Sequence, residues 1–171
     1  SMTLEKANLV IMLGFIDCVH CCVAPSFKIN KIAEQYAKAI NKLAEDHSYF
    51  NVYVCTVNPI DGDYPMAISE RGSLTKKELT EKIKSFNKTL KSKCKVRFID
   101  SYSYLTDTSY TTLDGFRYVA DTCTALHNYI KANFSLGTSA EFLPRLLAPD
   151  PEVDSFLYWT PKKVTGDVVD G

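Results

Sequence analysis

Lys95-Val-Arg-Phe-Ile-Asp100-Ser-Tyr-Ser-Tyr-Leu105, followed closely by Tyr110-Thr-Thr-Leu-Asp114-Gly115-Phe116-Arg117-Tyr118, is the stretch whose reading decides the fold. It reads as a short buried strand over residues 95–100, a polar loop to Tyr118, and a helix. The helix carries its apolar stripe on Val119, Cys123, Leu126, Tyr129, Ile130 and Phe134. The loop places an acid, a glycine and a base where a strand hands over to a helix. In open α/β sheets that edge is where ligands sit.

Working outward, two more strands come into view. Residues 8–13, Asn-Leu-Val-Ile-Met-Leu, form a continuous apolar run suited to a strand covered on both faces, as in a parallel sheet. Residues 51–57, Asn-Val-Tyr-Val-Cys-Thr-Val, are of the same kind, and Asn58-Pro59 ends them. Between these strands, residues 27–46 show apolar positions at three- and four-residue spacing, from Ile29 through Ile32, Tyr36 and Ile40 to Leu43. Thr75-x-x-Glu78 is a capping box that opens a helix with Leu79, Ile83, Phe86 and Leu90 on one face. Asn87-Lys-Thr89 and Asn133-Phe-Ser135 match the glycosylation acceptor pattern. The expectation is an α/β domain with at least three parallel strands and three main helices.

Composition sets outer bounds. A chain of 171 residues with 20 Lys+Arg against 20 Asp+Glu has no net charge, which favours neither nucleic acid nor an anionic membrane as partner. No apolar run approaches the ~20 residues of a membrane span. The six cysteines are too few and scattered for a disulfide scaffold. Ser1-Met2 reads as a cloning remnant before an initiator methionine, so a removed leader is left open and no compartment is assigned.

Cys18-Val-His20-Cys21-Cys22 places a CxxC after a strand and before a helix, the position in which a helix N-terminus can lower a thiol pKa. A thiol–disulfide role for Cys18 and Cys21 is therefore one alternative, against unremarkable loop cysteines. A zinc site would need further ligands that no second CxxC or His pair supplies, so no metal and no cofactor are expected. Asp61 and Asp63 flank a glycine in a turn-rich loop, read as solvated residues at the rim of a cleft.

The segments FIDSYSYL, TTLDGFRY and ALHNYI together resemble the C-terminal block of the SGNH (GDSL-type) hydrolases. VYVCTVNPIDG and IKSFNKTLK are similar to that family's preceding strand and helix. The resemblance spans about residues 8–131. It implies a three-layer, flavodoxin-like parallel sheet and an ancestry among esterases that often act on acylated carbohydrate. In such enzymes an Asp-x-x-His supplies acid and base to a serine nucleophile. Here the acid matches at Asp114 and the base position holds Arg117, which cannot accept a proton near neutral pH. The family's oxyanion motif, Gly-x-Asn-Asp, matches at Gly14 and Asp17, but Ile16 replaces the Asn. Loss of one such donor typically costs roughly 10²–10³ in rate. No Gly-Asp-Ser occurs, and the family's first strand–helix unit is lacking or replaced.

The resemblance thus implies a catalytically inactive carbohydrate- or cell-wall-binding or assembly module. Its cleft would be lined by Gly14, Asp17, Asp61, Asp63, Tyr102, Tyr104, Asp114 and Arg117. An active esterase with an unrecognised nucleophile is the second alternative. The domain is expected over residues 1–137. Residues 138–171, broken by Pro144, Pro149, Pro151 and Pro161, form an arm or linker that resembles the connectors of modular lysins. The missing unit would leave a sheet edge for the arm, or a second copy in a homodimer, to cover.

Overall fold

The computed structural model describes residues 7–24, 26–65 and 72–134. Its centre is a three-stranded parallel sheet of β1 (Ala7–Ile11), β2 (Phe50–Cys55) and β5 (Arg97–Ile99), in the order β1-β2-β5. Leu9, Val10 and Ile11 pair with Val52, Tyr53 and Val54, and Tyr53, Val54 and Cys55 pair in turn with Arg97, Phe98 and Ile99. Parallel pairing requires a crossover between neighbours. Here α1 (Phe15–Val23) and α2 (Ile29–Asp46) make the first, and α3 (Lys76–Lys93) the second. A two-residue antiparallel pair, β3 (Tyr64–Pro65) with β4 (Ser73–Leu74), precedes α3. After β5 come α4 (Ser101–Thr108) and α5 (Ala120–Ala132).

The period-two alternation of each strand sorts its side chains between two apolar layers. Val52 and Val54, with Ile11, Leu13 and Phe98, face α1, α2 and α3. Tyr53 and Cys55, with Val10, Met12 and Ile99, face Leu105 of α4 and Leu126 and Ile130 of α5. The expected α/β class with a parallel sheet is present, and helices cover both faces. Among the described residues there are five helices, where three main ones were expected.

The two extra helices lie in stretches that read as loops. The CxxC lies inside α1, where Ile16, Asp17, Cys18, Val19 and Cys21 are all buried. Residues 101–108 are helical because Asp100, at the end of β5, caps them: its Oδ1 accepts from Ser103 N at 3.0 Å. The first strand is also shorter than its apolar run, ending at Ile11.

Three contacts fix the helical layer against the sheet. Gly14 sits at φ 116°, and a Cβ there would lie 2.5 Å from the Phe86 ring, so only glycine lets β1 turn into α1 beneath α3. Tyr36 of α2 stacks on that same ring at 5.7 Å. Asn87 of α3 accepts from Val57 N at 2.8 Å and donates to Val57 O at 2.9 Å, completing the backbone just beyond β2. This internal use of the amide removes Asn87 as a glycosylation acceptor. Leu79, Ile83, Phe86 and Leu90 are fully buried, each worth about 1.5–3 kcal/mol of transfer free energy. The Thr75–Glu78 capping box forms as expected.

No helix among the described residues is long and apolar enough to cross a membrane. The expected boundary at residue 137 and the 138–171 arm lie outside the described residues.

Candidate functional site

The C-terminal ends of β2 and β5 meet in a small polar core. Thr56 and Ser101 are buried. Their hydroxyls lie 3.1 Å apart, Ser101 Oγ donates to Asn58 Oδ1 at 2.6 Å, and Tyr102 N donates to Thr56 Oγ1 at 2.8 Å. This network ties the start of α4 to the chain leaving β2. It also removes Ser101 as an accessible nucleophile, because its hydroxyl is enclosed and engaged.

Above it lie two loops. One runs from Asn58 to Tyr64. The other is a small hairpin closed by the Thr112–Tyr118 bridge, with Leu113 N donating to Arg117 O at 2.8 Å. The loops are joined at their backbones. Asp61 N donates to Gly115 O at 2.6 Å, and a Cβ on Gly115 would lie 2.8 Å from Gly62 Cα. Gly115 also has φ 101°. The Asp-Gly at the head of the resemblance is thus explained by a left-handed turn pressed against a second glycine. Tyr118 Oη donates to Pro59 O at 2.5 Å and Tyr110 Oη to Ile60 O at 2.9 Å. Phe15, Tyr64 and Phe116 continue the contact as a chain of edge-to-face rings, 5.5 and 5.0 Å apart.

Asp114 and Arg117 form a closed pair at the hairpin tip. Arg117 Nε and Nη2 both approach Asp114 Oδ2, at 2.6 and 2.5 Å. Asp114 Oδ1 takes the backbone N–H of Arg117 at 3.1 Å. Desolvation pushes the Asp114 carboxyl up, but the hydrogen bonds from the Arg117 side chain and the Arg117 and Phe116 amides outweigh it and hold the carboxyl below its ordinary value. The Arg117 guanidinium also lies 5.7 Å from the Phe116 ring centre. Burial raises Tyr102, Tyr110 and Tyr118, with Tyr110 acting on the other two and Asp61 on Tyr110. These three phenols and Asp61 therefore share one neighbourhood.

The remaining expected site residues are placed elsewhere. Asp17 has no solvent exposure and forms no part of an open surface. Tyr104 stacks flat on Tyr129 of α5, 4.0 Å between ring centres, as packing between helices. Asp63 Oδ1 accepts from Lys76 N at 2.8 Å, and Lys76 Nζ lies 3.3 Å from Asp61, so both carboxylates serve the start of α3. Gly14 is occupied structurally by the Phe86 contact.

Cys18 is enclosed in α1, and Cys21, also buried, reaches the wall of the cleft between α1, α2 and α3. Burial pushes the Cys18 thiol well up and the Cys21 thiol to about 11, opposite to the shift a redox-active thiol needs. A cleft of about 460 Å³ does open between α1, α2 and α3, lined by Cys22, Phe27, Lys28, Asn30, Glu78 and Lys82 among others. None of the expected carboxylates or tyrosines lines it. No group of three or more His, Cys, Asp or Glu among the described residues could hold a metal ion.

Sequence reasoning passed over Tyr64, Phe15, Phe116 and Tyr118 as site residues. The signal available was positional: Phe15, Tyr64 and Phe116 each flank a glycine or proline at the C-terminal edge of the sheet, and Tyr118 follows two residues after Phe116. No known family model, no curated protein and no solved structure matches this chain.

Proposed function

We propose that the chain is a non-catalytic α/β binding domain of SGNH-hydrolase type, which uses the C-terminal edge of its sheet to hold carbohydrate. The observation that carries the reading is the closed Asp114–Arg117 pair. At the place where the resemblance puts an acid and a base, the acid is fully engaged by a group that stays charged at every accessible pH. Ile16, at the oxyanion-donor position, is buried and has no proton to offer. The strand order β1-β2-β5 supports the fold assignment. It is the order expected of the last three strands of a flavodoxin-like 2-1-3-4-5 sheet. Tyr102, Tyr110 and Arg117 combine flat faces with polar tips and Phe116 adds an apolar ring, the surface chemistry that packs on a sugar ring and bonds its hydroxyls. The burial of Cys18 and Cys21, which pushes both thiols up, speaks against the thiol–disulfide alternative.

The test has two arms. A fluorophosphonate probe and p-nitrophenyl acetate are applied to the wild type and to Arg117→His, with labelling and turnover expected at background in both. Heat-sensitive labelling of the wild type would reveal an activated serine and overturn the non-catalytic reading. In the second arm, N-acetylated chitooligosaccharides are titrated against the ¹⁵N-labelled chain. Shifts confined to residues around Gly115 and Tyr110 are expected, and their absence there would overturn the carbohydrate assignment alone.

A further inference from the structure

Charges that cancel over the whole chain are sorted in space. Residues 28–46 and 76–95, which comprise α2 and α3 with their flanks, hold twelve lysines, no arginine and five carboxylates. The other described residues hold three cations against seven carboxylates. α2 and α3 lie against one another on one face of the sheet. Thr89 Oγ1 of α3 donates to Asn30 Oδ1 of α2 at 3.3 Å, and Asn41 of α2 bonds the backbone of Lys93 and Lys95. On the opposite face, α4 and α5 carry Asp107, Asp121 and Lys131. The domain is therefore electrically polarised across its sheet.

The lysines stand in rows. Lys77, Lys84, Lys88 and Lys91 of α3 are all exposed and fall on one helical stripe about 21 Å long, in which Glu81 is the single acid. Lys31, Lys38 and Lys42 of α2 are exposed on a stripe of their own. Among the described residues, the lysines of this layer within bonding distance of a carboxylate are Lys42 and Lys76, with Asp46 and Asp61. Lys84, Lys88 and Lys91 are like charges one helical turn apart, which repel and weaken the helix unless an outside anion answers them. The layer also discriminates between anions. It lacks the arginines that bind phosphate in a bidentate fork, and its aromatic rings, Tyr36 and Phe86, are buried and offer no stacking platform for bases. Lysine is a compact point charge, suited to the diffuse potential of an anionic lipid leaflet. An apolar contact stands at the end of the rows. Val23 is 40% and Phe27 46% exposed, and Phe27 precedes Lys28 and shares with Lys82 the lining of the cleft between α1, α2 and α3. Exposed apolar side chains beside lysines are what a protein lying on a membrane surface presents. We infer that the α2–α3 face docks on an anionic lipid surface, with its lysine rows against the headgroups and Phe27 entering the headgroup–acyl boundary. This face does not include the Asp114–Arg117 edge, so the inference stands apart from the carbohydrate reading.

The test is sedimentation of the full chain with vesicles of phosphatidylcholine, alone or with about 30% phosphatidylserine. The chain is expected to sediment with the anionic vesicles only, and several-fold less as salt rises from ~50 to ~200 mM. A lysine near such a surface is worth about fivefold in partitioning, so the triple variant Lys84→Gln, Lys88→Gln, Lys91→Gln should lose about 100-fold. Lys131→Gln, on the opposite face, should match the wild type. Phe27→Ala should lose about threefold or more with every charge in place. All of these side chains lie outside the core, and melting curves check that each variant is folded. A random-sequence DNA duplex, added at a phosphate concentration equal to that of the anionic lipid, should leave the protein on the vesicles. Equal sedimentation with both kinds of vesicle would overturn the inference, as would partitioning unmoved by the triple variant or by Phe27→Ala. Displacement by the duplex would also overturn it and assign the face to nucleic acid.

Discussion

Asn87→Ala should be among the most damaging single polar truncations in this domain. The Asn87 amide meets both backbone groups of Val57, accepting at 2.8 Å and donating at 2.9 Å. Val57 is 3% exposed, so neither group can turn to water when the amide is gone. A buried polar group left unsatisfied costs about 1–3 kcal/mol. Two such groups, with some relaxation of the chain after β2, give an expected loss of about 2–4 kcal/mol. For a chain of this size that lowers Tm by roughly 5–15 °C. Asn41 provides the control. Its amide makes the same double bond, to Lys93 O at 3.0 Å and from Lys95 N at 2.8 Å, but on the exposed side. Water can replace it there, so Asn41→Ala should cost only about 0.5–1.5 kcal/mol. Urea denaturation followed by circular dichroism, at unchanged m-value, measures both. A loss below about 1 kcal/mol for Asn87→Ala, or equal losses at the two sites, would refute the reasoning that burial of Val57 sets the cost.

Gly115→Ala meets both a left-handed φ and the Gly62 backbone, whereas Gly72→Ala at φ 82° meets nothing within 4 Å. Chemical denaturation should show a loss of about 2 kcal/mol or more for the first and about 1 kcal/mol for the second; equal losses would remove the Gly62 contact as a cause. The Asp114 carboxyl, held low by Arg117, contributes stability above its unfolded pKa of about 3.9, lost as pH falls through its lower folded value. NMR titration of Arg117→Ala should return the Asp114 pKa upward; an unmoved value would break the assignment of that shift to the pair. Cys18, Cys21 and Cys55 are buried, with Cys21 pushed up to about 11 and Cys55 to about 12, so native-state alkylation at pH ~8 should leave all three unmodified. Peptide mapping that finds Cys18 or Cys21 alkylated at the rate of a free thiol would reopen the redox reading.

The three strands and the two long helices were legible because each carries one dominant signal. β1 and β2 are unbroken β-favouring runs, and α2 and α3 have full-length apolar stripes, with a capping box at the start of α3. The short helices carry weaker signals. In α4 the sequence Ser-Tyr-Ser-Tyr-Leu-Thr-Asp-Thr has few strong helix formers, and Asp100 as cap is its main local cue. In α1 the CxxC drew attention as chemistry, although its residues simply face the core. The same weakness limits the reading of the site. Burial is a three-dimensional property, so neither the enclosure of Asp17 nor the stacking of Tyr104 on Tyr129 can be read from spacing. The Asp114–Arg117 pair was legible because three residues along one turn suffice to form it.

The sequential order of the sheet also bears on how the chain is assembled during synthesis. Val10 meets Tyr53, and Tyr53 meets Arg97, so every sheet bond closes a loop of some forty residues. Such closure is slow, and helices form far sooner. β1 leaves the ribosome well before its partner β2 exists. At 5–20 residues per second it waits roughly two to nine seconds, an uncharged, proline-free, aliphatic segment whose partner β2 is not yet made. Recognition of residues 7–13 by a chaperone during that interval is the expected cost of making so apolar a strand some forty residues ahead of its partner β2.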